Sequence, residues 1–334
     1  MSLINTPIKI NNTEVKNRLV MPPMATAKAD QNGQVTEQLC QYYDEKTKGG
    51  YIGLIIMEHS FISQEGKAGK SQLSIAKDED INELKKIVTI IHNNNTKVFA
   101  QINHAGGAAQ KEITGCEPLS ASSIQMPQFK AYEKPPKEMT QNDIAKVIHD
   151  FANAALRAKK AGFDGVEIHA AHGYLLNQFF SPLTNMRNDK YAGTTLQSRI
   201  QLHLEIIDAV RKQVGSSYPI ALRLGACDYI ENGITIQDSI YACREFEKAG
   251  IDLLDISGGF CTYINPTKKQ QGYFSELSEP IKNVVHIPVI LTGGIVEIEA
   301  AEKLLQTGKA DMAGVGRAIL KNSEWAKQSI LSLK

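Results

Sequence analysis

The chain has 334 residues, 42% of them hydrophobic and 22% charged, with a formal net charge of +1 at pH 7. These proportions support a large packed core and argue against wholesale disorder. The balanced charge supplies no overall field to attract nucleic acid or an anionic membrane.

Short β-rich runs alternate with helical patterns along the whole chain. Ile8-Lys9-Ile10, Asn11-Asn12 and Glu14-Val15-Lys16 read as a small hairpin able to plug the bottom of a barrel. Eight core strands follow, at Arg18–Met21, Gly53–Met57, Lys97–Ile102, Gly165–His169, Ile220–Leu224, Leu253–Ile256, Pro288–Leu291 and Met312–Val315. Most are continuous apolar runs, as expected of parallel strands covered on both faces. Amphipathic segments lie between them, among them Asp78–Asn93, Gln141–Ala161 and Gln197–Val214. Ala161-Gly162 and Ala249-Gly250 give two of these helices the same small-residue exit. The longest irregular stretch, Asn103 to Met139, follows the third strand and would hang over the C-terminal mouth. The pattern predicts an α/β fold. It is a (β/α)₈ TIM barrel with an N-terminal hairpin and a long loop insertion after strand 3, forming a single domain over residues 1–334.

The five cysteines are Cys40, Cys116, Cys227, Cys243 and Cys261. Their number is odd and no two have C-x-x-C spacing, so neither a disulfide framework nor a zinc or iron–sulfur site is supported. Residues 1–20 contain no unbroken apolar run, and no later segment reads as a membrane span. A soluble, cytoplasmic protein is the expectation.

The densest chemical signal is Val166-Glu167-Ile168-His169-Ala170-Ala171-His172-Gly173-Tyr174, where an apolar strand runs into two histidines, a glycine and a tyrosine. Two imidazoles at a strand end can converge on one carbonyl oxygen, with the Tyr174 phenol available as a proton donor. Taken alone, a His-x-x-His pair is as much a metal-binding as a hydrogen-bonding signal, and one histidine could merely cap the strand, but no glutamate stands between the two and no third ligand is evident. Leu291-Thr292-Gly293-Gly294 and Gly314-Val315-Gly316-Arg317 end the last two strands. They either cradle a phosphate on backbone N–H groups beside a cation or simply make tight turns. Gln101 and Arg223 lie on strands three and five, and Asn103 and Ser257-Gly258-Gly259 lie at strand ends. An amide and a fixed cation there could meet the pyrimidine edge of a flavin, while Arg223 could instead pair inside the barrel with Asp228 or Asp255.

Taken together, these motifs resemble the Old Yellow Enzyme family of NAD(P)H:flavin oxidoreductases over nearly the whole chain. The resemblance is carried by Asn17-Arg18-Leu19-Val20-Met21-Pro22-Pro23-Met24 and Gln101-Ile102-Asn103-His104-Ala105-Gly106. It continues from His169 through Phe180-Ser181-Pro182-Leu183, Asn185-x-Arg187, Asp189-x-Tyr191-x-Gly193 and Arg199, and through the glycine pairs. The His-x-x-His form is similar to the bacterial, thermophilic-like branch. The resemblance implies bound FMN with NADH or NADPH as reductant. Pro23, Met24 and Ala25 would lie along the isoalloxazine, with backbone from His59. Gln101 would read the pyrimidine edge, with Arg223 beside N1 and O2. Gly293, Gly294, Gly316 and Arg317 would hold the phosphate, His169 and His172 the substrate oxygen, and Tyr174 would donate a proton.

The implied activity is an ene-reductase cycle that reduces activated C=C bonds of α,β-unsaturated carbonyls by ping-pong hydride transfer. Its partner is a small electrophilic acceptor, without nucleic acid or membrane, and a homo-oligomer is compatible with this. Ala25 stands where relatives commonly carry Cys or Thr, and Ala27 replaces a tyrosine common in the thermophilic-like branch. The sequence reaches Lys334 soon after Trp325. The branch's terminal arginine is therefore not expected, nor the cysteine cluster and extra flavin domain of larger dienoyl-CoA-reductase relatives. The resemblance extends to the barrel of those relatives. Alternative readings are a flavin-binding protein with altered or no turnover, a tRNA dihydrouridine-synthase-like FMN barrel, and a metal-dependent barrel lyase.

Overall fold

Eight parallel strands pair in sequence order and close on themselves in the computed structural model, which describes residues 2–127 and 134–333. The strands are Leu19–Met21, Leu54–Ile56, Lys97–Asn103, Gly165–Ala170, Ile220–Gly225, Leu253–Ser257, Val289–Thr292 and Met312–Gly314. Each overlaps an expected strand, with no end displaced by more than one residue. Closure runs through the parallel pairing of Ala313 with Leu19 and of Gly314 with Val20. Helices cover the outside, including Asp80–Asn93, Gln141–Ala161 and Leu196–Val214. The first of these starts two residues later than expected.

Local chemistry sets the helix ends. Thr140 accepts from the Asp143 N–H, while the Asp143 carboxylate accepts from the Thr140 N–H, a reciprocal cap of a kind typically contributing about 1 kcal/mol. Thr235 and Asp238 repeat this cap on the helix Ile236–Ala249. The expected small-residue exits are left-handed caps at Gly162 (φ 93°) and Gly250 (φ 106°), where a side chain would be strained.

Because side chains alternate along a strand, one set faces the helices and the other fills the barrel. The inward set forms two storeys. Val20, Leu54, Ile56, Phe99, Ala221, Leu253, Ile290 and Met312 make an apolar floor. The hairpin of Ile8–Ile10 and Thr13–Val15 closes this floor by inserting Ile10 and Val15, both fully buried. Toward the C-terminal ends the interior turns polar, with Gln101, Glu167, Arg223, Asp255 and Thr292 from consecutive positions around the wall.

Segment 103–139 carries the short helix Lys111–Thr114 and a two-stranded parallel pair, Leu119–Ser120 with Lys137–Glu138. Its apolar residues Ala105, Ala108, Ala109 and Met126 pack against Tyr174, which places them over the mouth as expected. Among the described residues, no helix is long and apolar enough to cross a membrane.

Candidate active site

A cavity of about 410 Å³ opens at the C-terminal ends of the strands. Every residue to which the resemblance gives a cofactor or catalytic role, except Gly293, lines it: Pro23, Met24, Ala25, His59, Gln101, His169, His172, Tyr174, Arg223, Gly294, Gly316 and Arg317. Gly293 adjoins Gly294 in the same turn.

The histidine loop owes its shape to two residues in the left-handed region, His172 (φ 61°) and Gly173 (φ 73°). They turn the chain sharply between the strand Gly165–Ala170 and the helix Leu175–Phe180. Buried amides hold the turn. Asn177 accepts from the Gly173 N–H at 2.8 Å. Gln178 donates to the carbonyls of Gly173 (2.7 Å) and Ala105 (3.1 Å). It accepts from the Gly107 N–H and the Ser120 hydroxyl, both at 2.9 Å. Gln178 thus fastens the histidine loop to the long segment after strand three.

The rings of His169 and His172 stand 5.2 Å apart and nearly perpendicular. The Tyr174 ring lies 5.2 Å from that of His169. Ser257 meets His172 Nε2 at 2.8 Å. His169 Nδ1 is buried and has no protein partner among the described residues. Burial holds both imidazoles well below the ordinary range, reinforced by the neighbouring imidazole for His169 and by the Arg223 cation for both. They are therefore neutral rings that can donate or accept without carrying charge.

Below them lies the polar storey. Gln101 donates to Glu167 at 2.7 Å, so Glu167 turns the amide. Arg223 Nε sits 3.2 Å from Asp255, and neither residue is more than 4% exposed in its side chain. Of the two alternatives in the sequence, Asp255 is the partner. Asp228 instead accepts from Ser181 and from the N–H groups of Ile234 and Phe260. Arg223 both pairs and lines the cavity. Glu167 Oε2 has no partner among the described residues. Burial, with repulsion from Asp255, holds the Glu167 carboxyl well above the usual range.

At the opposite end of the cavity, Gly294 adopts φ 68° beneath Tyr273, where an added Cβ would lie 2.6 Å from the ring. At Gly316 an added Cβ would press on Met24 Sδ at 3.2 Å. Arg317 is exposed at the rim and reaches the Tyr273 hydroxyl at 3.4 Å.

Three features were not singled out from the sequence. Tyr273 and Tyr263 enter the cavity from the loop after the sixth strand. The available signal was an aromatic pair, Tyr273-Phe274, ending a polar run in a loop that a barrel directs to its mouth. The His59 side chain, and not only its backbone, lines the cavity. Glu58, 2% exposed, accepts from the Thr26 hydroxyl at 2.7 Å and so tethers the loop bearing Ala25. Burial pushes the Glu58 carboxyl up to about 7.

These fittings suit FMN. A side-chain amide and a cation sit together in the barrel interior, a glycine-lined turn and an arginine sit at the rim, and the imidazoles of His169 and His172 line the space between. Among the described residues, no group of three or more His, Cys, Asp or Glu side chains is arranged to hold a metal ion.

Comparison with known proteins agrees with this arrangement. Residues 4–330 match the NADH:flavin oxidoreductase / NADH oxidase family. An NADH oxidase of Thermoanaerobacter brockii is 39% identical over 327 residues, covering 96% of this chain and 50% of that protein. An NADPH dehydrogenase of Clostridium acetobutylicum is 37% identical, covering 94% of this chain and 90% of that protein. A solved 2-naphthoyl-CoA reductase in complex with 2-naphthoyl-CoA superposes with a TM-score of 0.92 at 27% identity, covering 98% of this chain and 52% of that one. An Old Yellow Enzyme homologue from Zymomonas mobilis superposes at 0.84 with 26% identity, covering 99% and 93%. The chain spans about half the length of the NADH oxidase and of the metal reductase of Desulforamulus reducens that it also matches.

Proposed function

This chain belongs to the NADH:flavin oxidoreductase / NADH oxidase family, and from that premise we propose that it is an FMN-dependent NAD(P)H oxidoreductase of the ene-reductase type. It reduces the activated C=C bond of a small α,β-unsaturated carbonyl compound, working as one barrel unit in the cytoplasm. The observation carrying this reading is the gathering of His169, His172, Tyr174, Gln101, Arg223, Gly294, Gly316 and Arg317 around one cavity.

Bound FMN supplies the hydride chemistry between the nicotinamide and the acceptor carbon. The protein supplies binding, orientation and charge. Pro23, Met24 and Ala25 would flank the ring, with the His59 backbone beside it. Gln101, turned by Glu167, would present its amide to the pyrimidine edge. Arg223, held by Asp255, would sit beside N1 and O2 and favour negative charge there. Gly293, Gly294, Gly316 and Arg317 would hold the phosphate. His169 and His172 hydrogen-bond the acceptor oxygen and stabilise its developing negative charge. Ser257, 2.8 Å from His172 Nε2, fixes the orientation of that ring. Tyr174 delivers a proton to the carbon next to the carbonyl.

The first test is the visible spectrum of freshly purified protein, followed by release and identification of the chromophore. FMN is expected, and stoichiometric FAD or a colourless protein would overturn the assignment. The second test is titration with phenols, whose oxygen imitates the enolate. His169→Ala or His172→Ala should weaken binding by about 1.5–3 kcal/mol with flavin content kept. Two variants that bind phenol as tightly as the parent would show that the histidines do not hold the acceptor oxygen.

A further inference from the structure

The cavity contains a third imidazole whose proton is placed by its neighbours. His59 follows the second barrel strand, and its ring stacks against Tyr174 at 5.5 Å and 30°. It stands 6.2 Å from His169. Behind it lies Gln72, 6% exposed. The Gln72 carbonyl oxygen accepts from the Ala68 N–H at 2.6 Å, which settles the orientation of the amide. Its NH₂ group therefore faces His59, 2.9 Å from Nδ1 and 3.1 Å from the backbone carbonyl. The Asn103 amide nitrogen, in a fully buried residue, lies 3.3 Å from the same Nδ1.

The Gln72 NH₂, its orientation set by Ala68 and by the His59 carbonyl, donates to Nδ1, so Nδ1 is an acceptor and the ring proton resides on Nε2. Burial, with the Arg223 cation, pushes His59 down to about 4, so the ring is neutral at working pH. Nε2 has no protein partner among the described residues, and it is not one of the polar atoms sealed from solvent. An aromatic or aliphatic side chain would pack on Tyr174 equally well. A buried amide held by Ala68 and aimed at one ring nitrogen does something packing does not require, which is to select a tautomer.

We propose that His59 is a substrate-binding residue whose Nε2–H donates to a second acceptor oxygen. The site then selects unsaturated compounds with two carbonyl-type oxygens flanking the reducible bond, such as ene-diones, quinones or ene-dicarboxylate derivatives. This rests on His169 and His172 holding the first oxygen, as proposed for the reaction itself, and His59 holds the other. A donor at the second oxygen draws electron density from the same C=C bond, so His59 assists reduction as well as recognition.

The test uses flavin-loaded parent, His59→Phe, His59→Gln and Gln72→Leu, titrated with phenol and with 4-hydroxyacetophenone while the flavin spectrum is followed. Phenol offers one oxygen, and the acetophenone adds a carbonyl on the far side. The parent should prefer the acetophenone. In His59→Phe that preference should fall about five- to tenfold, the size of one neutral hydrogen bond. His59→Gln, which keeps a side-chain N–H donor, should retain most of it, and Gln72→Leu should fall between. In the holoenzyme with ¹⁵N-labelled histidine, the His59 resonances should report a proton on Nε2 in the parent and a tautomer mixture in Gln72→Leu. Equal affinity of the parent for both phenols, an unchanged preference in His59→Phe, or a proton on Nδ1 would each overturn the proposal. His169→Ala titrated with phenol alone checks the role of the histidine pair separately.

Discussion

Replacing Gln178 with leucine removes four hydrogen bonds from a fully buried position at little change in volume. The Gly107 N–H, the Ser120 hydroxyl and the carbonyls of Gly173 and Ala105 then lose a partner inside the protein. Each buried polar group left unsatisfied costs about 1–3 kcal/mol. The Ala105 carbonyl keeps the Ala108 N–H at 3.1 Å, so taking the lower end for the other three, because loops relax, gives about 3 kcal/mol. At roughly 2 °C per kcal/mol for a chain of this size, the unfolding temperature should fall by about 6 °C. Gln178→Glu keeps the acceptor oxygen and loses the NH₂ donors, so it should fall by less. Thermal unfolding followed by circular dichroism, at one fixed excess of FMN, measures both. Phenol affinity should fall together with stability, because the same side chain fastens the turn carrying His172 and Tyr174. A leucine variant melting within about 2 °C of the parent, with unchanged phenol affinity, would refute the idea that Gln178 holds the two loops together.

Glu58 is raised to about 7 by burial, so between its ordinary value and 7 the fold binds a proton that the unfolded chain releases. Its favourable contribution is complete at acid pH and is lost as pH rises through 7, up to about 3 kcal/mol in all. Glu58→Gln should therefore flatten the pH dependence of the urea midpoint and exceed the parent at pH 8, and a parallel pH profile would contradict this. Ala25→Thr adds a hydroxyl donor on the cavity wall. The midpoint potential of bound FMN should rise by roughly 20 mV, the equivalent of about 1 kcal/mol for two electrons, as read by potentiometric titration. An unchanged potential in a fully loaded variant would show that residue 25 does not face the ring. Tyr174→Phe should slow reoxidation by enones more than reduction by NAD(P)H, and equal slowing in stopped-flow traces would make Tyr174 a positioning group.

The eight strands were legible because most are short apolar runs between helical periods, and the helix Gln141–Ala161 because its amphipathic pattern and its Gly162 exit are both local signals. The histidine pair was visible for the same reason, since its members are three residues apart at a strand end. Other parts of the site depend on contacts between residues far apart in the chain. Gln72 acts on His59 across 13 positions, and Gln178 on Ser120 across 58. Arg223 had two acidic candidates in the sequence, and only the register of neighbouring strands, which sets it beside Asp255, decided between them. Ala27 marks another limit. Its φ of 53° is a backbone property that composition does not announce for an alanine.

The two-storey interior also divides what mutation can reach. Floor residues such as Ile10, Phe99, Ile290 and Met312 touch hydrocarbon, so repacking them changes durability and leaves the chemistry untouched, and their effects should add to changes at the mouth. In the storey above, apolar replacements for Glu167, Arg223 and Asp255 should make a sturdier barrel, since buried charges are often less stabilising than well-packed hydrocarbon of similar volume. Selection for heat tolerance alone would drift toward that outcome and erase the site. A breeding scheme for this scaffold should therefore randomise the floor freely and screen every change in the upper storey for colour as well as for survival.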